Sequence, residues 1–194
     1  LVFLPTYKED YAIIRETLRS LKENRFPNDR MLIVLGGEQG DAEAFGKHAE
    51  RAQREFGCVF KELIVTMHPK GLLDEIPGKG SNLNWMGLQV EMVLSEKYPE
   101  IADEDIVVSS FDIDTIAHPQ YFSYLTYLYC TVENPTRSSY QPIALFSNNI
   151  WNASAPVRIA AFGTTFWLFG ELTRSDRLWT FSSHSMPWMM LRDV

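Results

Sequence analysis

The chain has 194 residues, of which 45% are hydrophobic and 13% aromatic, and it carries a net charge of −7. This length and apolar content suit one globular domain with a buried core, whereas the negative charge argues against a nucleic-acid-binding surface. The sequence also lacks the ~18 consecutive apolar residues of a membrane span. Two widely separated cysteines, Cys58 and Cys130, indicate no disulfide framework and favour a reducing, cytoplasmic compartment.

The first two thirds of the sequence alternates between strand-like and helix-like patterns. Ile14, Leu18 and Leu21, for example, recur at spacings of four and three residues, which is typical of a helix with one apolar face. Such alternation predicts an α/β fold, with a mostly parallel sheet flanked by helices on both faces. The predicted strands are 1–4, 31–35, 60–66 and 106–111, and the predicted helices are 11–24, 41–56 and 81–98.

After the fourth strand the regular alternation of strand and helix patterns ends. The sequence predicts an aromatic-rich helix over 117–133 with Pro119 in its first turn, an antiparallel strand over 138–147, an apolar helix over 155–173, a short strand over 178–182 and a helix from Met186. We expect the apolar helix to pack on the sheet; the alternative is a face that meets a membrane or further chain segments.

The domain organisation is predicted from the point where this alternation ends. We expect a single domain with two parts, over about 1–116 and about 117–194. Because the sequence begins within a strand pattern and stops within a helical one, it is expected to be a fragment of a longer chain.

The fourth predicted strand ends in two carboxylates, Asp112 and Asp114. In open α/β sheets ligands gather at the carboxyl ends of the strands, so both side chains are expected at that edge. Two carboxylates one residue apart favour a hard cation such as Mg²⁺ or Mn²⁺, which keeps waters and takes further ligands from a phosphate. A solvated loop or a helix N-terminus, where Asp is favoured, is the alternative interpretation.

Three other segments are expected at the same edge of the sheet. The first strand leads into Pro5-Thr6-Tyr7-Lys8-Glu9, the second into Gly36-Gly37-Glu38-Gln39-Gly40-Asp41, and the third helix is preceded by Pro77-Gly78-Lys79-Gly80-Ser81-Asn82-Leu83-Asn84. Gly36 and Gly37 are interpreted first as turn residues. Lys79 lies between two glycines just before a helix, a setting that favours contact with an anion.

In this order, the segments resemble the family 2 glycosyltransferases, whose catalytic domain has the GT-A fold, and the resemblance covers essentially the whole sequence. It implies that the part over about 1–116 is a nucleotide-binding half and the part over about 117–194 an acceptor-side half. It implies that Asp112 and Asp114 bind Mg²⁺ or Mn²⁺ on a diphosphate. It also implies an acceptor side lined by the stretch Phe181-Ser182-Ser183-His184-Ser185, in particular His184 and Ser185. The residues that it places around the nucleotide are Pro5, Thr6, Tyr7, Glu9, Glu38, Gly78, Lys79, Asn82, Asn84 and Asp112.

The activity that the resemblance implies is transfer of a sugar from a nucleoside-diphosphate sugar, with a UDP-sugar favoured, to a carbohydrate or lipid-linked acceptor, with inversion. The parent chain would be cytoplasmic, or would associate with the cytoplasmic face of a membrane through segments outside this sequence. Two rival functions remain open: a nucleotide-sugar-binding module without turnover, and an aspartyl-phosphate phosphatase. The phosphatase is disfavoured because its Asp-x-Asp motif belongs on the first strand.

Two features depart from the family pattern. Where the family usually shows Asp-Asp-Gly-Ser-x-Asp after the second strand, this sequence offers Glu38 or Asp41. The Glu-Asp motif that supplies the general base should follow the acceptor segment, but the only acid after His184 is Asp193. The base is therefore expected beyond Val194, and the 194-residue chain alone is expected to transfer sugar poorly.

Overall fold

A five-stranded sheet organises the chain in this computed structural model, which describes residues 1–73, 75–76, 78–147, 150–174, 176 and 183–192. The strands are β1 (Val2–Pro5), β2 (Leu32–Glu38), β3 (Glu62–His68), β4 (Val107–Ser110) and β5 (His184–Pro187). Their order is β3-β2-β1-β4-β5, with β5 antiparallel to β4 and the other pairs parallel. The predicted mostly parallel sheet is confirmed.

Helices cover both faces of this sheet, as predicted. They are α1 (Tyr11–Lys22), α2 (Ala42–Phe56), α3 (Lys79–Lys97), α4 (Tyr121–Thr131), α5 (Ala155–Leu172) and α6 (Trp188–Arg192). Val2 and Leu4 of β1 join the core cluster formed with α1, α2 and α4, whereas Phe3 joins the cluster formed with α3 and α6. This alternation follows from the two-residue period of side chains along a strand.

Gly36 and Gly37 lie inside β2, so their interpretation as turn residues is wrong. A Cβ atom at Gly36 would lie 2.4 Å from Sδ of Met86 in α3. A Cβ atom at Gly37, on the opposite face, would lie 2.3 Å from Cδ1 of Phe45 in α2. The two glycines therefore allow helices to approach the carboxyl end of β2 closely from both sides.

Two predictions for residues 117–147 need correction, and a third concerns residues that the structure does not describe. Residues 138–147 do not form a strand; Tyr140 makes one isolated antiparallel bridge to Ser185, and Pro142 lacks a backbone donor. The helix predicted from 117 begins at Tyr121, after a turn in which the Tyr121 N–H donates to the His118 carbonyl at 2.8 Å. The predicted strand over 178–182 lies outside the described residues.

The last helix and the apolar helix also differ from expectation. Met186 pairs with Val108 in β5, so the final helix begins only at Trp188. Within α5 the only buried side chain is Leu168, whereas Ile159 and Phe166 are 73% and 75% exposed. The prediction that this helix packs on the sheet is therefore wrong for most of its length, because large apolar side chains of the helix are exposed. Among the described helices, none combines the length and apolarity needed to span a membrane.

Candidate functional site

The carboxyl edge of the sheet gathers the polar segments that the sequence singled out. Because β1, β2, β3 and β4 are parallel, Thr6, Glu38, His68 and Asp112 all lie at or just beyond the same ends of these strands. The prediction that Asp112 and Tyr7 share one edge is thereby confirmed. β5 runs the other way, so its first residue, His184, reaches this edge too.

The carbonyl oxygen of Gly36 joins three of these segments. It accepts hydrogen bonds from the Thr6 N–H at 2.7 Å, the Thr6 hydroxyl at 3.1 Å and the Asn82 side-chain amide at 3.2 Å. Thr6 and Asn82 are both buried, at 5% and 2% exposure. These two side chains therefore hold the end of β1 and the start of α3 against β2, beneath the surface of the edge.

The loop after β1 is fixed by side-chain contacts to its backbone. The Lys8 N–H donates to Oδ2 of Asp41 at 3.1 Å, and the Tyr7 N–H donates to the Glu9 carboxylate. Lys8 has a φ of 67°, the left-handed region that non-glycine residues rarely occupy. Tyr7 is 52% exposed at this edge, and Nζ of Lys8 lies over its ring, 4.7 Å from the centroid. Asp41, the alternative to Glu38, is thus engaged in holding the loop.

Glu38 is held by a histidine that the sequence reasoning missed. Its Oε2 lies 2.9 Å from Nδ1 of His68, and Nε2 of the same ring lies 2.9 Å from Oε2 of Glu75. His68 is only 4% exposed. Burial is the largest influence and lowers the pKa of His68, but the hydrogen bonds and charges of Glu38 and Glu75 together outweigh it and raise the pKa above its ordinary 6.5.

The two aspartates after β4 flank a tight turn. The Thr115 N–H donates to the Asp112 carbonyl at 2.9 Å, and the intervening Ile113 is buried, with its carbonyl accepting a hydrogen bond from the Thr17 hydroxyl of α1. Asp112 is half-buried and Asp114 exposed. Anchoring Ile113 in the core thus leaves both carboxylates on the solvent side of the turn.

Lys79, the first residue of α3, forms an ion pair with Oδ1 of Asp112. A cationic group therefore already lies against this carboxylate. Within the described ranges, no group of three or more His, Cys, Asp or Glu side chains is arranged to hold a metal ion. Two carboxylates nevertheless fit Mg²⁺ or Mn²⁺, because such ions are commonly held by one or two carboxylates together with substrate phosphates and water.

The residues predicted along α3 do not all point to one place. Gly78 precedes the helix, and its carbonyl accepts a hydrogen bond from the Ser81 hydroxyl at 2.7 Å. Asn82 is buried against Gly36, whereas Asn84 is exposed. Two residues apart on a helix are separated by about 200° around its axis, so the structure does not bring Asn82 and Asn84 together.

On the predicted acceptor side, His184 and Ser185 have different environments. Ser185 is fully buried, and its hydroxyl lies 2.6 Å from that of Ser109 and 2.8 Å from that of Tyr121. These contacts show that the Ser185 side chain helps to join β5 to β4. His184 is partly exposed where β5 begins, next to Ser183, whose hydroxyl accepts the Asp112 N–H at 3.5 Å. Its acceptor role stays a prediction.

Comparison with known proteins identifies the fold. Over 99% of the chain, the structure is similar to a crystal structure of residues 1–349 of TarS from S. aureus, with a TM-score of 0.51 and 14% identity. It is similarly close, with a TM-score of 0.52 and 16% identity, to the mannosyltransferase PcManGT from Pyrobaculum calidifontis, solved in complex with GDP-Man and Mn²⁺. Both are GT-A glycosyltransferases. The chain has the GT-A fold.

The GT-A fold is what this similarity establishes, since the sequences are less than one fifth identical. The chain spans 48% of the TarS structure and 45% of the PcManGT chain, less than half of each. Neither a protein-family model nor a curated protein sequence matches the chain. The function of the site therefore has to be argued from its own residues.

Proposed function

We propose that the chain is the donor-binding part of a metal-dependent glycosyltransferase, which moves a sugar from a nucleoside-diphosphate sugar to an acceptor hydroxyl with inversion. One observation carries the proposal. The turn that bears Asp112 and Asp114 lies at the carboxyl edge of a GT-A sheet, with Lys79 at the N-terminus of α3 against it. The complex of PcManGT with GDP-Man and Mn²⁺ supports the same donor class and metal.

The roles of the residues follow from their chemistry. Asp112 and Asp114 would supply carboxylate oxygens to Mg²⁺ or Mn²⁺, and the bound ion would neutralise charge on the departing diphosphate. Lys79 lies at a helix N-terminus, where anions are favoured, and would turn from Asp112 to a phosphate oxygen when the donor binds. Glu38, at the end of β2, would accept a hydrogen bond from the ribose or the base of the nucleoside.

The finer assignments extend this proposal. We favour a UDP-sugar as donor and a carbohydrate or lipid-linked acceptor that approaches His184, on the cytoplasmic side of a membrane or in the cytoplasm. A carboxylate base would deprotonate the acceptor hydroxyl. A nucleotide-sugar-binding module without turnover is the second candidate. It is favoured by the positions of two described acids that could otherwise serve as the base. Glu171 lies inside α5 and Asp176 lies 2.7 Å from Arg174, and neither follows a described strand.

The proposal is tested by titrating the 194-residue chain with UDP and GDP by calorimetry, with and without Mn²⁺ or Mg²⁺. We expect the metal to raise the affinity by about tenfold or more, equivalent to about 1.4 kcal/mol. Asp114→Ala should remove this metal dependence, because the one carboxylate of the pair that remains, Asp112, is already ion-paired with Lys79.

Asp29→Ala is the matched control. Asp29 is an exposed aspartate in the turn before β2, at the opposite edge of the sheet, so its removal should leave the metal dependence intact. Equal affinity of the wild-type chain with and without metal would contradict the proposal. A metal dependence that survives in Asp114→Ala would assign the ion to other residues.

A further inference from the structure

The ring of His68 connects three parts of the proposed donor site. His68 ends β3, and its register partner Glu38 ends β2. Glu75, the other partner of the ring, belongs to the segment 69–78, which connects β3 to α3. The ring also meets the edge of Trp85 in α3, with centroids 6.1 Å apart. A single buried side chain at the end of β3 thus contacts the end of β2, the connecting segment and the helix that begins with Lys79.

The hydrogen-bond geometry favours the charged form of this ring. Both ring nitrogens lie 2.9 Å from a carboxylate oxygen, and an ionised carboxylate can only accept hydrogen bonds. A neutral imidazole carries one N–H, so its other nitrogen would present a lone pair to an anion. The doubly protonated imidazolium satisfies both contacts. The described titratable groups that face the ring are Glu38 from β2 and Glu75 from the segment 69–78.

The described residues of the segment 69–78 make two side-chain hydrogen bonds to the ends of neighbouring strands. Within its described residues Leu73 and Ile76 are 94% and 89% exposed, so they contribute little burial. The Lys70 N–H donates to the side chain of Gln39 at 2.7 Å, and Glu75 contacts His68. Both contacts fasten the segment to residues at the end of β2 or β3. The same segment leads directly into Gly78 and Lys79.

We propose that His68, as an imidazolium bridging Glu38 and Glu75, is a positioning residue for the nucleoside diphosphate. It orients Glu38 for the nucleoside and fastens the segment 69–78 so that Lys79 is presented to the diphosphate. The inference rests on the proposed function and deepens it, because it adds a residue that acts on donor binding through Glu38 and Lys79 and not by contacting the donor itself. It makes donor binding depend on the protonation of a side chain remote from Asp112 and Asp114.

The direction of the pH effect follows from the contacts. Because the pKa of His68 is raised above 6.5, the imidazolium bridge forms below the raised value and is lost as the pH rises through it. Deprotonation leaves Glu38 or Glu75 facing a ring nitrogen without a proton. Donor affinity should therefore fall with rising pH in the wild-type chain.

The variant Glu75→Gln separates the positioning role from a general effect of pH. A glutamine amide can donate to Nε2 of neutral His68, while Nδ1–H still donates to Glu38. Both contacts then survive without the extra proton, and binding should no longer fall as the pH rises. His68→Gln lacks the charged bridge and should lower the affinity by about tenfold at pH 6.5, the lower end for outer-shell groups that orient a ligand-binding residue. This difference from the wild type should shrink at higher pH, where the wild type loses the bridge too.

The experiment is calorimetry of UDP and of GDP with Mg²⁺ at a series of pH values from 6.5 upward, on the wild-type chain, Glu75→Gln and His68→Gln. A steep loss of affinity in the wild type that is absent in Glu75→Gln supports the proposal. Identical pH profiles for these two chains, or wild-type affinity in His68→Gln at pH 6.5, overturn the role of His68 alone. Failure of UDP and GDP to bind the wild-type chain at every pH overturns the proposed function, and the inference with it.

Discussion

Replacing Gly36 by alanine should destabilise the domain, although alanine is normally tolerated in strands better than glycine is. The added Cβ would lie 2.4 Å from Sδ and 2.8 Å from Cγ of Met86, and 2.9 Å from Oδ1 of Asn82. Met86 is fully buried, so its thioether cannot move into solvent. Either α3 shifts away from β2 or the Met86 side chain leaves its rotamer.

The magnitude follows from the depth of this overlap. Adding a methyl group to a well-packed core costs typically about 1–3 kcal/mol. Glycine to alanine also reduces the entropy of the unfolded chain, which offsets about 0.4–1 kcal/mol of that cost. The 2.4 Å approach places the cost in the upper half of that range, so we expect Gly36→Ala to lower the free energy of unfolding by about 1–2.5 kcal/mol.

Urea unfolding followed by circular dichroism measures this change. Gly46→Ala is the matched control, because Gly46 lies in α2 with no atom within 4 Å of the added Cβ, so this change should stabilise the chain by about 0.5–1 kcal/mol. Combined with Met86→Ala, Gly36→Ala should cost much less than it does alone. Equal stability of Gly36→Ala and the wild type would refute the close approach of α3 to β2.

Two further predictions concern the stability of the sheet. Tyr121→Phe removes the hydroxyl 2.8 Å from Ser185 and should cost about 0.5–1.5 kcal/mol in urea unfolding, whereas the exposed Tyr124→Phe in the same helix should cost nothing measurable. Burial, the largest influence, raises the pKa of Glu62, but hydrogen bonds from Lys97 and Tyr98 outweigh it and lower the pKa below 4.5. The stability advantage of the wild type over Glu62→Gln should therefore be complete above pH 4.5 and shrink as the pH falls further; an advantage that is constant with pH would contradict this coupling.

The four parallel strands and the aspartate pair could be predicted because their signals are local. Apolar runs that end in polar residues describe β1 and β4 directly, and parallel order alone brings Tyr7 and Asp112 to one edge. The periodic apolar positions Ile14, Leu18 and Leu21 are all buried in α1. In these segments the local pattern and the tertiary packing require the same residues, so the sequence is sufficient.

The features that were missed depend on contacts between distant parts of the chain. Gly36 and Gly37 have the composition of a turn, and only the positions of Met86 and Phe45 reveal why a strand needs them. His68 follows the predicted third strand by two residues, which is a usable signal. Its two partners, however, follow from strand register and from the return of the segment 69–78, neither of which a local pattern specifies.

The central position of β1 has a consequence for the order of folding during synthesis. Val2 pairs with Ile33 on one side and with Ser109 on the other. A ribosome adds about 5–20 residues per second, so the second partner emerges roughly 4–15 s after the first. For that interval one side of an apolar strand has no neighbour, and unpaired strand edges of this kind attract other chains. Docking of β4 onto β1 therefore closes the period in which a nascent chain depends most on chaperones.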